Sequence, residues 1–217
     1  MSDEHRSVLT RCAGLTVTMW SDALDECKIR GVISGLTQRS GGHKFVGFAV
    51  TARQHVGEHG NCTGAELGVT EMLEATRKDD VLVVEMGGVP VSTFGGLAAA
   101  TAVANGAAAV IIDGACRDLG EIQATGLWVA TRHVVPTSGK KRAKLVAMGG
   151  AVTIGGMTVN AGDLLVGDET GIVVVPRTDI TRVAEIAMRN LAQDQMMERA
   201  LKAGKTFAEA AAEAKYF

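Results

Sequence analysis

Arg117 and Asp118 stand side by side at the end of Ala108-Ala109-Val110-Ile111-Ile112-Asp113-Gly114-Ala115-Cys116, where a β-branched apolar run stops at two full charges of opposite sign. An Arg guanidinium can bind a carboxylate through two parallel hydrogen bonds, and an Asp beside it can hold a hard divalent cation through oxygen or ordered water. The pair suits an anionic oxo acid held against a metal. Its bland reading is a surface ion pair closing a turn. What argues for more lies upstream, where Gly95-Gly96-Leu97-Ala98 opens an Ala-rich segment running to Asn105-Gly106. A helix starting there leaves orphan backbone N–H groups and the positive end of its dipole open to an anion, although a Gly pair also suits close packing. With Arg117, the amides of Gly95 to Ala98 would hold one anion from two sides.

Three further groupings invite a chemical reading. Cys116 adjoins the Arg-Asp pair, but no His lies near it in sequence to activate a thiol, so it reads as a core residue. His55-Val56-Gly57-Glu58-His59 spells the inverted zinc-protease pattern, which requires both histidines on one helix face. Gly57 and Gly60 make that helix poor, and a polar loop fits better. Lys140 and Lys141 follow the Pro136-Thr137-Ser138-Gly139 turn and read as a solvated basic loop, the alternative being a grip on a distal substrate carboxylate.

The elements that must position these groups alternate. Apolar residues Met19, Ala23, Leu24 and Cys27 recur at helical spacing with Thr18 or Ser21 as cap, and Val46 to Ala52 reads as a strand. A helical period runs from Thr63 to Ala75, followed by a buried strand over Val81 to Met86, the helix after Gly95 and the strand ending at Cys116. A helical turn over Ile122 to Gly126 and a strand at Trp128 to Thr131 come next. From Ala143 the pattern changes to short strands at 151–154, 157–159, 164–166 and 171–175. A long helix, capped by Thr178-Asp179 and carrying Met188, Leu191, Met196, Met197 and Leu201, stops at Gly204. Its Met stripe could cover the parent core or reach a neighbouring subunit, where Asp194 or Glu198 could complete a site with too few ligands in one stretch of chain.

Composition bounds the classes. The chain has 217 residues, 47% of them hydrophobic, enough for one sizeable core, and it reads as a single domain over 1–217 with a C-terminal helical extension from about 179. A net charge of −2, with no basic run longer than Lys140-Lys141-Arg142, argues against nucleic acid as a partner. Charges and glycines interrupt every apolar stretch before about 18 residues, and Met1 to Arg6 lacks a basic-then-apolar leader pattern, so no membrane partner and a cytoplasmic location are expected. Cys12, Cys27, Cys62 and Cys116 form no C-x-x-C pair and read as reduced.

The chain resembles the family of divalent-metal-dependent 4-hydroxy-4-methyl-2-oxoglutarate / 4-carboxy-4-hydroxy-2-oxoadipate aldolases, related to the regulator of ribonuclease activity A. The match includes Ser21-Asp22-Ala23-Leu24, Val46 to Thr51, Asp80 to Val84, Ile111-Ile112-Asp113-Gly114 and the long run from Ala161 to Pro176. Members with aldolase activity are marked by a Gly, twenty residues, Arg-Asp, two residues and an acidic residue, a spacing that Gly96, Arg117-Asp118 and Glu121 meet. Ala161 stands where Pro is usual and Glu85 where Asp is common.

The resemblance implies an α/β fold, an α/β/β sandwich of the swivelling-domain type with a C-terminal helix packing on a neighbouring subunit, assembled as a homotrimer or homohexamer. It implies that Asp118 holds Mg²⁺ or Mn²⁺, that Arg117 binds substrate, and that the amides of Gly95, Gly96, Leu97 and Ala98 grip the pyruvyl carboxylate. The expected activity is a class II lyase that cleaves a 4-hydroxy-2-oxo acid to pyruvate through a metal-stabilised enolate. Glu121, acting through water, or a metal-activated water would take the C4 hydroxyl proton. Oxaloacetate decarboxylation passes through the same enolate and is expected alongside. The alternative is a non-enzymatic regulator of ribonuclease E acting by surface contact. A methyltransferase is disfavoured, because no strand runs into a Gly-rich nucleotide loop with an acidic ribose ligand.

Overall fold

Alternate residues of single strands bury themselves in different apolar clusters, and this period of two sets the layers. The computed structural model describes Val8, Thr10, Cys12 and residues 14–216; Met1 to Arg6, read above for the absence of a leader, lies outside them. Twelve strands are present among the described residues: β1 (Val32–Ile33), β2 (Thr37–Ser40), β3 (Phe45–Val56), β4 (Asp80–Glu85), β5 (Ser92–Phe94), β6 (Ala109–Cys116), β7 (Trp128–Val134), β8 (Ala143–Met148), β9 (Val152–Ile154), β10 (Met157–Val159), β11 (Leu164–Asp168) and β12 (Gly171–Val175). The α-helices that accompany them include α1 (Val17–Glu26), α2 (Val69–Ala75), α3 (Gly96–Ala104), α4 (Leu119–Thr125), α5 (Ile180–Lys202) and α6 (Phe207–Ala214).

Ten strands form one mixed sheet in the order β1-β12-β11-β3-β4-β6-β7-β2, with β5 added to β6 and β8 to β3; β9 and β10 make a separate hairpin. The pairs β3/β4, β4/β6, β5/β6 and β6/β7 are parallel. Parallel strands are covered on both faces, which is why β6 is buried at every position. Leu82, Val84, Val110, Ile112 and Val129 face α2, α3 and α4, in a cluster with Met72, Ala99 and Ile122. Leu164, Val166, Val173 and Val175 face α1 and α5, packing with Trp20, Leu24, Val183 and Ala187. The opposite face, with Val81, Val83, Ala109, Ile111, Leu165 and Val174, closes over Val152, Ile154 and Val159 of the β9–β10 hairpin. Helices on one face and a hairpin on the other make this a mixed α/β fold.

Several elements depart from the sequence expectation. The first helix begins at Val17, so Thr16 is its cap, accepting from Met19 N at 3.4 Å, while Thr18 and Ser21 lie inside it. The helical period from Thr63 divides into a 3₁₀ turn, Ala65–Leu67, and α2, with Gly68 between them at φ +71°. A Cβ there would overlap Leu145 of β8. Asp179 occupies the cap position of α5 but gives its oxygens to Arg182 Nη2 at 2.8 Å and Thr178 Oγ1 at 2.9 Å. The strand at 46–52 runs on to Val56, so His55 is a strand residue and the zinc-protease pattern has no helix to stand on.

The Met stripe is divided. The first turns of α5 cover the parent sheet with α1, and beyond them Met197 and Ala200 pack with Ala210, Ala211 and Ala214 of α6 in a separate cluster. The last of these helices begins with a capping box between Thr206 and Glu209. Among the described residues no helix is long and apolar enough to cross a membrane.

The longest run shared with the family resemblance is scaffolding. Asp163 Oδ2 accepts from Asn160 N at 2.8 Å and its Oδ1 from Arg177 N at 2.9 Å. Asp168 Oδ2 accepts from Val17 N at 3.0 Å, satisfying an orphan donor of α1, and its Oδ1 accepts from Thr170 N at 2.8 Å. Both carboxylates are buried and taken up by backbone amides. Replacing Asp168 with Ala is therefore expected to cost about 1–3 kcal/mol in denaturant unfolding, since it strands the Val17 N–H. The same change at the exposed neighbour Glu169 is expected to stay within about 0.5 kcal/mol.

Candidate active site

Two chain segments arrive at the site side by side. β5 runs straight into α3 through Gly95, and β6 runs into α4 through Arg117 and Asp118; Arg117 N donates to Phe94 O at 3.0 Å across the gap. Gly95 is the α3 cap, in extended conformation and without a side chain to satisfy the first amides of the helix. Asp118 sits at the cap position of α4 in the left-handed region, φ 52° and ψ 44°, a conformation that Asp tolerates better than most residues but that still costs energy. That turn swings its carboxylate back over Gly95.

The two glycines are required by packing. A Cβ on Gly95 would lie 2.5 Å from Asp118 Oδ2 and 3.3 Å from Arg117 Cγ. A Cβ on Gly96 would collide with Glu121 Oε2. Close packing and anion chemistry, alternatives in the sequence, are here the same arrangement, in which two carboxylates occupy the volume that side chains at 95 and 96 would fill. Arg117 Nε stands 3.5 Å from Asp118 Oδ2, both side chains being 39% exposed. At that exposure the pair adds little stability, and both groups stay open to a ligand.

These residues border a cavity of about 270 Å³, close to the lower end of the range for small-molecule sites. Gly95, Leu97, Ala98, Arg117 and Asp118 line it. Gly96 is buried, and Glu121 is exposed and outside the lining, its carboxylate against Gly96. Asp194 and Glu198 are not at the cavity of their own chain. Glu198 pairs with Lys202 Nζ at 2.6 Å, and Asp194 faces Tyr216, whose hydroxyl it pushes to a higher pKa. Cys116 is fully buried against Thr131, and burial raises its thiol pKa, in keeping with a core residue.

Three further linings complete the cavity, and the first fits the alternative reading of Lys140, a grip on a substrate carboxylate. Lys140, read as a solvated loop residue, lines the cavity, because Gly139 N donates to Ser92 O at 2.7 Å and Ser92 N to Thr137 O at 2.9 Å, which pins the loop along β5. The opposite wall is apolar and comes from Ala65, Leu67 and Val69. Thr93 of β5 completes the floor; the only local signal for it is a short Ser-Thr-Phe stretch ahead of the glycines.

Among the described residues no three His, Cys, Asp or Glu side chains come together as a metal cluster. Asp118 offers one hard oxygen donor in a cradle that a Cβ at 95 would fill. Mg²⁺ and Mn²⁺ are commonly held by one or two carboxylates, with water and substrate oxygens completing the shell, so the donor set fits such a cation.

A family described as RraA-like, Aldolase/RraA, matches residues 17–174. Protein DlpA of Legionella pneumophila is 26% identical over 210 residues, which is 96% of this chain and 34% of that protein, so the chain spans about a third of this relative. A Halalkalibacterium halodurans protein provisionally named 4-hydroxy-4-methyl-2-oxoglutarate aldolase is 26% identical over 202 residues, 93% of this chain and 91% of its own. In structure, an uncharacterized protein of Pseudomonas syringae pv. tomato superposes with a TM-score of 0.84 at 27% identity, over 94% of this chain and 96% of that one. A Streptomyces coelicolor protein, RraAS2, described as an unusual member of the RNase ES inhibitor RraA protein family, superposes with a TM-score of 0.75 at 23% identity, over 89% and 96%; this is a likeness of fold.

The apolar wall is fixed by Glu66, whose Oε2 accepts from Thr63 N at 2.7 Å and from Thr63 Oγ1 at 3.0 Å, while its Oε1 meets Lys144 Nζ at 2.6 Å. The hydrogen bonds from Lys144 and Thr63 lower its pKa from 4.5 to about 2. A depressed carboxylate stabilises the fold above its unfolded pKa and ceases to do so as pH falls through its folded value. The stability difference between wild type and Glu66→Gln is expected to be constant above about pH 5 and to shrink between pH 4.5 and 2, followed by denaturant unfolding at each pH.

Proposed function

The chain belongs to the RraA-like family, whose description joins aldolases with RraA, and from that premise we propose that it is a divalent-metal-dependent carbon–carbon lyase. Its substrate is a 4-hydroxy-2-oxo acid of the 4-hydroxy-4-methyl-2-oxoglutarate type, cleaved to pyruvate. The observation that carries this reading is the packing of the Asp118 and Glu121 carboxylates over Gly95 and Gly96, beside Arg117, where an α-helix begins. The name of the Halalkalibacterium relative, a provisional 4-hydroxy-4-methyl-2-oxoglutarate aldolase, supports the substrate class.

The open amides at the start of α3 and the Arg117 guanidinium bind the carboxylate next to the ketone, from two directions. Asp118 holds Mg²⁺ or Mn²⁺. When bound, that cation supplies Lewis acidity toward the ketone oxygen, lowering the barrier to charge build-up there. Glu121 takes the C4 hydroxyl proton through an intervening water, the C3–C4 bond breaks toward the ketone, and C3 is protonated to give pyruvate. The other product carries the new carbonyl at C4. Oxaloacetate loses carbon dioxide by the same electron flow and is a second substrate. Assembly as a homotrimer or homohexamer in the cytoplasm, with Asp194 or Glu198 of a neighbouring copy near the cavity, belongs to the same proposal.

Pyruvate release from 4-hydroxy-4-methyl-2-oxoglutarate and from oxaloacetate is the test. Metal-loaded wild type is expected to release it from both, EDTA to abolish release, and Asp118→Ala to lower kcat/KM on the order of a hundredfold or more. Turnover indifferent to EDTA and to Asp118→Ala would sink the proposal. Gly95→Ala, which pushes Asp118 from its place, is expected to lose about tenfold or more with an unchanged circular dichroism spectrum. The family description, which joins aldolases with RraA, favours a second reading, regulation of ribonuclease E by surface contact. That reading gains if wild type turns over neither acid and Asp118→Ala still inhibits the nuclease.

A further inference from the structure

Lys140 lines the cavity, and among the described residues its ammonium has no carboxylate partner. The cations near it in sequence are committed elsewhere: Lys144 Nζ meets Glu66 Oε1 at 2.6 Å, and Arg142 Nη1 donates to Ser138 O at 3.1 Å. The adjacent Lys141 is exposed and outside the lining. The backbone fixes where Lys140 stands. Gly139 is wedged so closely that a Cβ there would lie 2.7 Å from Ser92 O and 2.9 Å from Leu67 Cδ1, and Lys140 N donates to Ser138 Oγ at 3.2 Å. The loop therefore brings an unpaired cation to a concave wall beside aliphatic side chains, where an anion arriving with a ligand is its natural partner.

The substrate class of the lyase reading carries two carboxylates, one beside the ketone and one on C4. Arg117 and the α3 amides serve the first, since they adjoin Asp118. Apart from Arg117, Lys140 is the cation in the lining. Thr70 and Ser138 also bring hydroxyls to it. Those are neutral donors, and a hydrogen bond to a carboxylate from a cation is about twice as strong, so they can add to a grip without supplying its charge. Resting on the lyase reading for the placement of the first carboxylate, we infer that Lys140 Nζ binds the carboxylate on C4 and makes the cavity selective for 2-oxo diacids over 2-oxo monoacids. A monoacid leaves the ammonium without its partner, and the contact that separates the two classes is this one.

Two ligand pairs test this. 2-Oxoglutarate has the distal carboxylate but no C4 hydroxyl from which cleavage could start, and 2-oxopentanoate has a methyl group in place of that carboxylate. In calorimetry on the metal-loaded protein, wild type is expected to bind 2-oxoglutarate about tenfold or more tighter than 2-oxopentanoate. Lys140→Met is expected to weaken 2-oxoglutarate alone and bring the two within about threefold, and Lys140→Arg to keep most of the preference. The same change at Lys141, outside the lining, is expected to leave both Kd values within about twofold. In turnover, Lys140→Met is expected to raise KM for 4-hydroxy-4-methyl-2-oxoglutarate about tenfold or more with kcat changed by less than about threefold, and to alter kcat/KM for 4-hydroxy-2-oxopentanoate, which lacks the C4 carboxylate, by less than about threefold. Equal binding of the two acids by wild type, or an equal loss on both in Lys140→Met, overturns the inference and leaves the lyase reading in place. If metal-loaded wild type turns over neither hydroxy acid while Lys140→Met still erases the preference for 2-oxoglutarate, the lyase reading falls and the diacid site stands.

Discussion

Two strand ends and one helix start meet at residues 94–96 and 116–118, and their separation is set by the missing side chains of Gly95 and Gly96. The backbone bonds Arg117 N to Phe94 O and Ala115 N to Val91 O lock the two exits together. Once they are locked, Asp118 and Glu121 have one place to go, over the first turn of α3. A negative charge there is favoured by the helix dipole. The glycines, the acidic residues and the spacing between them are thus one geometrical constraint, and none of its parts can change alone.

Holding that constraint costs energy locally. Asp118 adopts a left-handed backbone, a departure worth about 1–3 kcal/mol. Thr93 keeps a buried hydroxyl unpaired. The sheet offsets these costs, since β4 and β6 are buried on both faces and each large aliphatic side chain so buried contributes about 1.5–3 kcal/mol. Rigid strands directly behind the site also explain why Gly95, Arg117 and Asp118 reach the cavity from strand ends and their immediate turns.

Acidic residues in shared motifs divide into two kinds that only their partners distinguish. Asp163 and Asp168, in the longest run of resemblance, spend both oxygens on backbone amides and hold turns together. Glu85 likewise accepts from Arg53 Nε at 3.1 Å and Thr153 N at 2.9 Å, tying the β9 hairpin to β4. Asp118 instead faces a guanidinium at 3.5 Å and solvent. The length of a matching motif reports a scaffold; the free lone pairs report chemistry.

The sequence by itself determined the strands at β4, β6, β11 and β12, the helix after Gly95 and the Arg-Asp pair at a strand end, because alternation, helical period and glycine placement are written in neighbouring residues. It also carried the spacing that joins Gly96 to Glu121. Tertiary structure alone decided the rest. The strand β8 is half exposed and alternates weakly, yet it breaks the 63–75 helix by pressing Leu145 onto Gly68. Lys140 reaches the cavity only because its loop bonds to β5, and Thr93 becomes part of the wall only because β5 joins β6. Contacts of this kind join residues far apart in the chain, and their strength depends on distances that no local pattern of residue types encodes.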